Sequence, residues 1–168
     1  SSSAASDVYK RQEEVSEEGA AQAVKIYRDY YETKGQLEAH LYDGIKEILQ
    51  QLSQDPSKKI FITTSKNEPI ALEMCKHLGI TEYFDGIYGS TPTAFHKADV
   101  LQRAITENQA PKDQSVIVGD TKFDLIGGKT VGVKTIAVTW GFGKNETLLA
   151  ENPDFIADTT QELRDILK

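Results

Sequence analysis

Two carboxylates, Asp120 and Asp124, stand four residues apart in the segment GDTKFD, directly after the apolar run SVIV. If SVIV is a strand, both acids lie in the turn and first helical turn beyond its carboxyl end, where Gly119 lets the backbone bend tightly. Such carboxylate oxygens suit Mg²⁺, which keeps several waters and needs few protein ligands. The alternative is structural, with Asp120 capping the helix and Asp124 solvated.

Two hydroxyls, Thr64 and Ser65, follow the apolar run IFI in the segment TTSK. Hydroxyls and free backbone N–H groups at a strand-to-helix turn can hold an anion such as phosphate. The alternative is helix capping by Ser65 or Asn67. The segment therefore offers either a phosphate site or an ordinary helix start.

A lysine, Lys97, opens the helical segment HKADVL. A cation is disfavoured at a helix N-terminus, so its placement makes more sense if a negative ligand or a carboxylate lies opposite. The alternative is an ordinary surface lysine. The neighbouring His96 is interpreted as a surface or packing histidine.

The elements that must position these residues follow from apolar periodicity. A helix is predicted from about Ser16, with Ala20 in its apolar stripe and Gly35 at its end. A second helix begins near Asp43, with an inward face of Ile45, Ile48, Leu49 and Leu52. Four strand and helix pairs then alternate, with strands predicted at 59–64, 86–89, 115–119 and 135–138.

This alternation predicts an α/β fold, a Rossmann-like doubly wound and mostly parallel sheet with helices on both faces. Ligands of such sheets bind at the carboxyl ends of the strands. Residues 1–12 are Ser/Ala-rich without apolar period, and they are predicted to be a non-native or disordered extension.

Composition narrows the class of protein. The chain has 168 residues, 39% hydrophobic and 27% charged, which suits one domain with a core. The net charge of −7 and the lack of a Lys/Arg cluster argue against a nucleic-acid partner. No apolar run approaches the ~20 residues of a membrane span, so no membrane partner is predicted. A single cysteine, Cys75, fits a cytoplasmic location.

Together the motifs resemble those of haloacid-dehalogenase-superfamily phosphatases of the phosphoglycolate-phosphatase type. ITTSK is similar to the second motif of that family, HKADVL to the third, and VIVGDTKFD to the fourth. The resemblance implies that Thr64, Ser65 and Lys97 bind the substrate phosphate and that Asp120 and Asp124 form the Mg²⁺ site. Lys97 and Asp120 are the implied catalytic residues. Residues 13–40 resemble the remnant of a helical cap, and 41–168 the core.

The first motif of the family, D-x-D-G-T, is absent from the sequence. Its first Asp attacks phosphorus and its second shuttles the proton of the leaving group. We therefore expect a core that lacks its first, central strand, a chain truncated at its N-terminus and inactive alone. The strands ending at Thr64 and Gly119 should flank a gap rather than pair, which predicts a marginally stable, aggregation-prone chain.

The leading prediction is a Mg²⁺-dependent phosphomonoester hydrolase of small phosphorylated metabolites, with phosphoglycolate weakly favoured over a nucleoside monophosphate. The alternative of another class is a non-catalytic phosphate-binding or receiver-like signalling module. Receivers carry their acidic pair early in the chain, whereas here the acids follow Thr64 and Lys97. The sequence predicts no particular oligomeric state.

Overall fold

Strands and helices alternate along the chain, of which the computed structural model describes residues 20–21, 41–141 and 143–168. The strands are β1 (Ala20–Ala21), β2 (Lys59–Asn67), β3 (Gly86–Ser90), β4 (Val116–Gly119), β5 (Lys134–Val138) and β6 (Phe155–Ala157). The helices are α1 (Ile45–Ser53), α2 (Glu68–Leu78), α3 (Lys97–Asn108), α4 (Lys122–Val131), α5 (Asn145–Leu149) and α6 (Thr160–Ile166). The alternation confirms the predicted α/β class.

Every pairing between the described strands is parallel. One sheet has the order β1-β2-β3 and the other the order β4-β5-β6. Phe61 of β2 lies opposite Gly86 of β3, and Val116 of β4 lies opposite Lys134 of β5. In the described part of the chain β2 and β4 do not pair with each other, as predicted. Parallel pairing brings the carboxyl ends of the strands within each sheet to one edge.

The two-residue strand β1 corrects the prediction for the segment before residue 41. Ala20 pairs with Lys59 and Ala21 with Ile60, and β1 also contacts β4. The prediction of a helix at Ala20 and of an empty gap beside β2 is therefore wrong at these two residues. The reason is tertiary, because an unpaired strand edge offers N–H and C=O groups that a short parallel segment satisfies. The rest of the predicted cap remnant, 13–40, and the extension 1–12 lie outside the described residues.

The apolar core forms where the helices pack on the strands. The predicted inward face of α1 is buried, since Ile45, Ile48, Leu49 and Leu52 are all in the core. The inward face of α3 is buried too, through Val100, Leu101, Ala104 and Ile105. These helices keep the strands in place because their apolar stripes match the 3.6-residue period.

Strand β2 is longer than predicted. It continues past Thr64 to Asn67, which pairs with Ser90 after a register shift that follows Thr63. The predicted turn at 64–66 is thus extended, irregular backbone, because β3 still has a residue to pair with there. Helix α2 then begins with Pro69 in its first turn and ends at Gly79 with φ 71°.

The C-terminal third adds elements that the periodicity did not predict, α5 and β6, which are only five and three residues long. Thr159 caps the start of the last helix, and Glu162 reaches back to the backbone of the residue before Thr159. The backbone N–H of Glu162 donates to Thr159 Oγ1 at 3.1 Å, and that of Asp158 donates to Glu162 Oε1 at 2.6 Å. Within the described residues, no helix has both the length and the apolarity that a membrane span requires.

Candidate active site

Lys97 and Asp124 form a buried ion pair between the first turns of α3 and α4. Lys97 Nζ lies 2.6 Å from Asp124 Oδ1, and the side chains are 10% and 0% exposed. Lys97 is the first residue of α3, where the helix dipole disfavours a cation. Asp124 compensates for this cost, so it is the carboxylate that the sequence argument required opposite Lys97.

The second oxygen of Asp124 caps its own helix. Oδ2 accepts hydrogen bonds from the backbone N–H groups of Asp120 and Thr121, at 3.1 and 3.2 Å, and from Thr121 Oγ1 at 3.2 Å. A charged acceptor with several donors is a stable arrangement even in a buried place. The alternative of a solvated Asp124 is therefore wrong, and Asp124 fixes both the turn and Lys97.

Gly119 is required by the closeness of this carboxylate to the backbone. A Cβ at position 119 would lie 2.1 Å from Asp124 Cβ and 2.6 Å from its Cγ. No side chain fits at this position, so the glycine allows the backbone and the Asp124 side chain to lie close together. It also lets β4 run directly into the turn that carries Asp120.

Asp120 is buried at the end of β4, under the loop that follows β5. The backbone N–H of Gly143 donates to the Asp120 carbonyl at 3.1 Å. A Cβ at Gly141 would lie 2.3 Å from Asp120 Oδ2. The loop thus passes directly over the carboxylate and restricts where it can point.

The hydroxyl residues lie on β2. Thr64 is buried, and its Oγ1 accepts a hydrogen bond from the backbone N–H of Lys66 at 3.1 Å, so its own proton can be donated elsewhere. Ser65 lines the same pocket as Lys97. The structure therefore links Ser65 to Lys97 through a pocket and Lys97 to Asp124 through an ion pair. The hydrogen bond that the Thr64 hydroxyl accepts comes from its own strand. The phosphate-binding role of Thr64 stays a prediction.

The donor chemistry around Asp120 fits Mg²⁺ with few protein ligands. Among residues 20–21, 41–141 and 143–168, no group of three or more His, Cys, Asp or Glu is placed to share a metal ion. Mg²⁺ does not require such a group, because it keeps several waters beside one or two carboxylates. Asp124 and Asp120 both present carboxylate oxygens at this strand end, and Asp120 is confined there by the loop that carries Gly141.

Cys75 is a poor candidate for a nucleophile. Burial raises the pKa of its thiol to about 12. The thiolate is the reactive form, and it is scarce at neutral pH when the pKa is so high. The neighbour of Lys97, His96, is exposed, and its ring packs 4.5 Å from that of Phe95, in keeping with the predicted surface histidine.

Two functional residues were missed by sequence reasoning. Thr121 belongs to the pattern T-x-x-D, which is the capping-box spacing with Asp124 as its acid, and that signal was present in the sequence. Gly141 covers Asp120 from a loop that lies 21 residues further along the chain. No local pattern indicates such a contact.

Comparison with known protein families shows the class of protein to which this fold belongs. Residues 3–138 match the family of haloacid dehalogenase-like hydrolases. The chain belongs to this family, which confirms the family assignment made from the motifs.

Curated relatives carry phosphatase names. A phosphoglycolate phosphatase of Vibrio vulnificus (strain CMCP6) is 30% identical over 156 residues, which are 92% of this chain and 68% of the relative. A 5'-nucleotidase of Pseudomonas aeruginosa is 30% identical over 151 residues, covering 89% of this chain and 68% of the relative. These relatives confirm the predicted enzyme class, a phosphatase of this family.

Solved structures share the fold. A haloacid dehalogenase-like hydrolase of Streptococcus pneumoniae superposes with a TM-score of 0.77 at 42% identity, covering 84% of this chain and 66% of that one. A predicted phosphatase from Clostridium acetobutylicum gives a TM-score of 0.75 at 31% identity, covering 82% and 64%. The chain thus spans just under two thirds of the length of these structures, and the Rossmann-like fold is confirmed.

Proposed function

We propose that this chain is the phosphate- and Mg²⁺-binding core of a hydrolase of small phosphorylated metabolites that cleaves phosphomonoesters. The observation that carries the proposal is the buried pair of Lys97 and Asp124 beside the confined carboxylate of Asp120. A cation and a metal-binding carboxylate next to each other suit a phosphoryl group, whose equatorial oxygens carry the negative charge.

Each residue has a distinct role in this proposal. Lys97 neutralises one phosphate oxygen, and Thr64 and Ser65 donate hydroxyl hydrogen bonds to others. Asp120 and Asp124 would hold Mg²⁺ as the acidic pair. Asp124 also orients Lys97 and the turn at Asp120.

When bound, Mg²⁺ would withdraw charge from the phosphate oxygens and so favour attack on phosphorus. The chain's own residues do the rest. The loop over Asp120 excludes water from one side of the carboxylate, and the ion pair stops Lys97 from folding away from the phosphate. These groups bind and neutralise the phosphate but supply no nucleophile.

Turnover requires an attacking group, and no Asp of the 168 residues stands in a D-x-D-G-T context. We propose that these residues alone bind phosphate without hydrolysing it. Purified chain should therefore release no p-nitrophenol from p-nitrophenyl phosphate in the presence of Mg²⁺. Release at rates ordinary for such enzymes, about 1–10³ per second, would contradict this part of the proposal.

Two substrate classes are supported by the names of relatives, phosphoglycolate and a nucleoside monophosphate. The proposal of another class, a non-catalytic phosphate-binding or receiver-like module, would share the same cation and acid pair. The order of the motifs, with both acids after Thr64 and Lys97, favours the hydrolase. We further propose a cytoplasmic protein without nucleic-acid or membrane partners.

Phosphate binding tests the proposal directly. Inorganic phosphate is titrated into the chain with and without Mg²⁺, and backbone amide shifts are followed by NMR. Shifts around Ser65, Lys97 and Asp120 that need Mg²⁺ are expected. Lys97→Met should abolish them, whereas Lys134→Met, at an exposed lysine that begins β5, should not. Saturation without Mg²⁺, or shifts elsewhere in the fold, would sink the assignment of the site.

A further inference from the structure

A pocket of about 370 Å³ lies between the start of α3 and one face of α4. Ser65 and Lys97, two of the proposed phosphate-binding residues, are part of its wall. Most of the other lining is apolar, and its main members are Phe95, Phe123 and Ile126. A phosphate held by Lys97 would therefore place the rest of its molecule beside this apolar wall.

The apolar side chains of this pocket are unusually open to solvent. Phe95 is 54% exposed, Phe123 49% and Ile126 41%. Clustered exposed hydrophobic side chains commonly mark a binding site. At the base of the pocket Gly127 lets α4 approach α3 closely, because a Cβ there would lie 3.2 Å from Lys97 Cβ.

Both aromatic rings are held by neighbours. The ring of Phe95 packs 4.5 Å from that of His96, and Lys122 Nζ lies 5.3 Å from the centroid of the Phe123 ring. Rings that are fixed before binding lose little entropy when a ligand stacks on them.

The few charged side chains of the pocket limit the charge that a bound leaving group can carry. Among the described residues, Lys97 is the one Lys or Arg in the lining, and it is paired with Asp124. It can serve a phosphate, but the described part of the wall holds no second lysine or arginine for a further carboxylate. The nearby Lys122 is not part of the wall and lies against the Phe123 ring. A leaving group that carries its own negative charge would meet mainly apolar surface, which is costly.

We infer that this pocket receives a planar, uncharged ring of the substrate's leaving group, which makes the favoured substrates phosphomonoesters of ring-bearing alcohols. The inference rests on the proposed function, since Lys97 must hold the phosphate. The ring stacks against Phe95 and Phe123 and displaces water from Ile126. Ring-bearing phosphates should then bind better than phosphoglycolate.

Competition binding with Mg²⁺ tests the inference without requiring turnover. Phenyl phosphate, methyl phosphate, phosphoglycolate and uridine 5'-monophosphate are titrated into the chain by NMR or calorimetry. Phenyl phosphate should bind about 3- to 10-fold more tightly than methyl phosphate. If uridine 5'-monophosphate binds as tightly as phenyl phosphate or more tightly, the ring is a nucleobase. If it binds more weakly than phenyl phosphate, the ring is a simple aryl group.

Matched variants separate the ring pocket from the phosphate site. Phe123→Ala and Phe95→Ala should each remove the phenyl preference and leave methyl phosphate binding unchanged. Phe123→Tyr should keep the preference. Phe155→Ala, at a comparably exposed phenylalanine on β6, should change nothing.

The outcomes distinguish the two proposals. If phenyl and methyl phosphate bind equally, or phosphoglycolate binds best, the ring pocket is wrong and the phosphate site stands. If the alanine variants bind every phosphate compound more weakly by the same factor, the two aromatic residues stabilise the fold and do not bind the ring. The inference is then also overturned. If no phosphate binds to the wild-type chain, both proposals fail.

Discussion

The ammonium group of Lys97 lies 2.6 Å from Oδ1 of Asp124, so a cation that begins one helix is held by a carboxylate that caps the next. The pair joins α3 to α4 at the carboxyl ends of the strands. Because Asp124 also accepts a hydrogen bond from the backbone N–H group of Asp120, the positions of Lys97 and of the proposed metal ligand Asp120 depend on the same side chain. Stability and phosphate binding should therefore be coupled here.

Removal of the cation should destabilise the fold. Lys97→Met leaves the buried carboxylate of Asp124 without its counter-charge, and we expect a loss of about 3 kcal/mol in the free energy of unfolding. The double variant Lys97→Met/Asp124→Asn should recover part of this loss, because no unpaired charge remains. Urea unfolding followed by circular dichroism measures both, and purely additive losses would contradict the coupling.

Asp120→Asn should weaken Mg²⁺ binding while the fold remains intact. The amide keeps the shape of the carboxylate but loses its charge, so the affinity for Mg²⁺ should fall at least on the order of tenfold. Calorimetric titration of Mg²⁺ measures the change. Asp113→Asn, at an exposed acid before β4, is the matched control and should bind Mg²⁺ as the wild type does. Unchanged affinity in Asp120→Asn would remove Asp120 from the metal site.

Gly119→Ala should disrupt the turn. The added Cβ would lie 2.1 Å from Asp124 Cβ, so either the carboxylate or the strand end must move. We expect a loss of at least about 2 kcal/mol of stability and the loss of phosphate binding. Gly79→Asn is the control, since Gly79 has φ 71° and nothing within 4 Å of an added Cβ, and asparagine tolerates this backbone. Comparable losses in the two variants would argue against the close-approach explanation.

The buried thiol of Cys75 should make stability fall at alkaline pH. Its folded-state pKa is raised to about 12, whereas the thiol of an unfolded chain has a pKa of about 8.5. The folded state therefore keeps its proton while the unfolded state loses it, so this contribution is complete below about pH 8.5 and is lost as pH rises toward 12. Unfolding of the wild type and of Cys75→Ala at pH 7 and pH 10 measures the difference. Cys75→Ala should lose less stability between the two pH values, and an equal loss would contradict the assignment.

Much of the fold followed from local periodicity. The buried faces of α1 and α3 and the strands around Ile62 and Val118 could be predicted because they depend on a repeating apolar pattern. The end of α2 could be predicted because it depends on one turn residue, a glycine. The short elements α5 and β6 were not, since three to five residues carry too little periodicity. The prediction of a helix at Ala20 was wrong because the local apolar pattern carries no information about an unpaired strand edge elsewhere in the chain.

The sequence by itself predicted the candidate site residues from their types and from their places after apolar runs; they are Thr64, Ser65, Lys97, Asp120 and Asp124. What each carboxylate contacts was decided only by the tertiary structure. Lys97 and Asp124 are 27 residues apart, and Gly141 meets Asp120 from another loop. A sequence pattern reports spacing along the chain, whereas an ion pair and a steric contact depend on how two helices and a loop pack across the sheet.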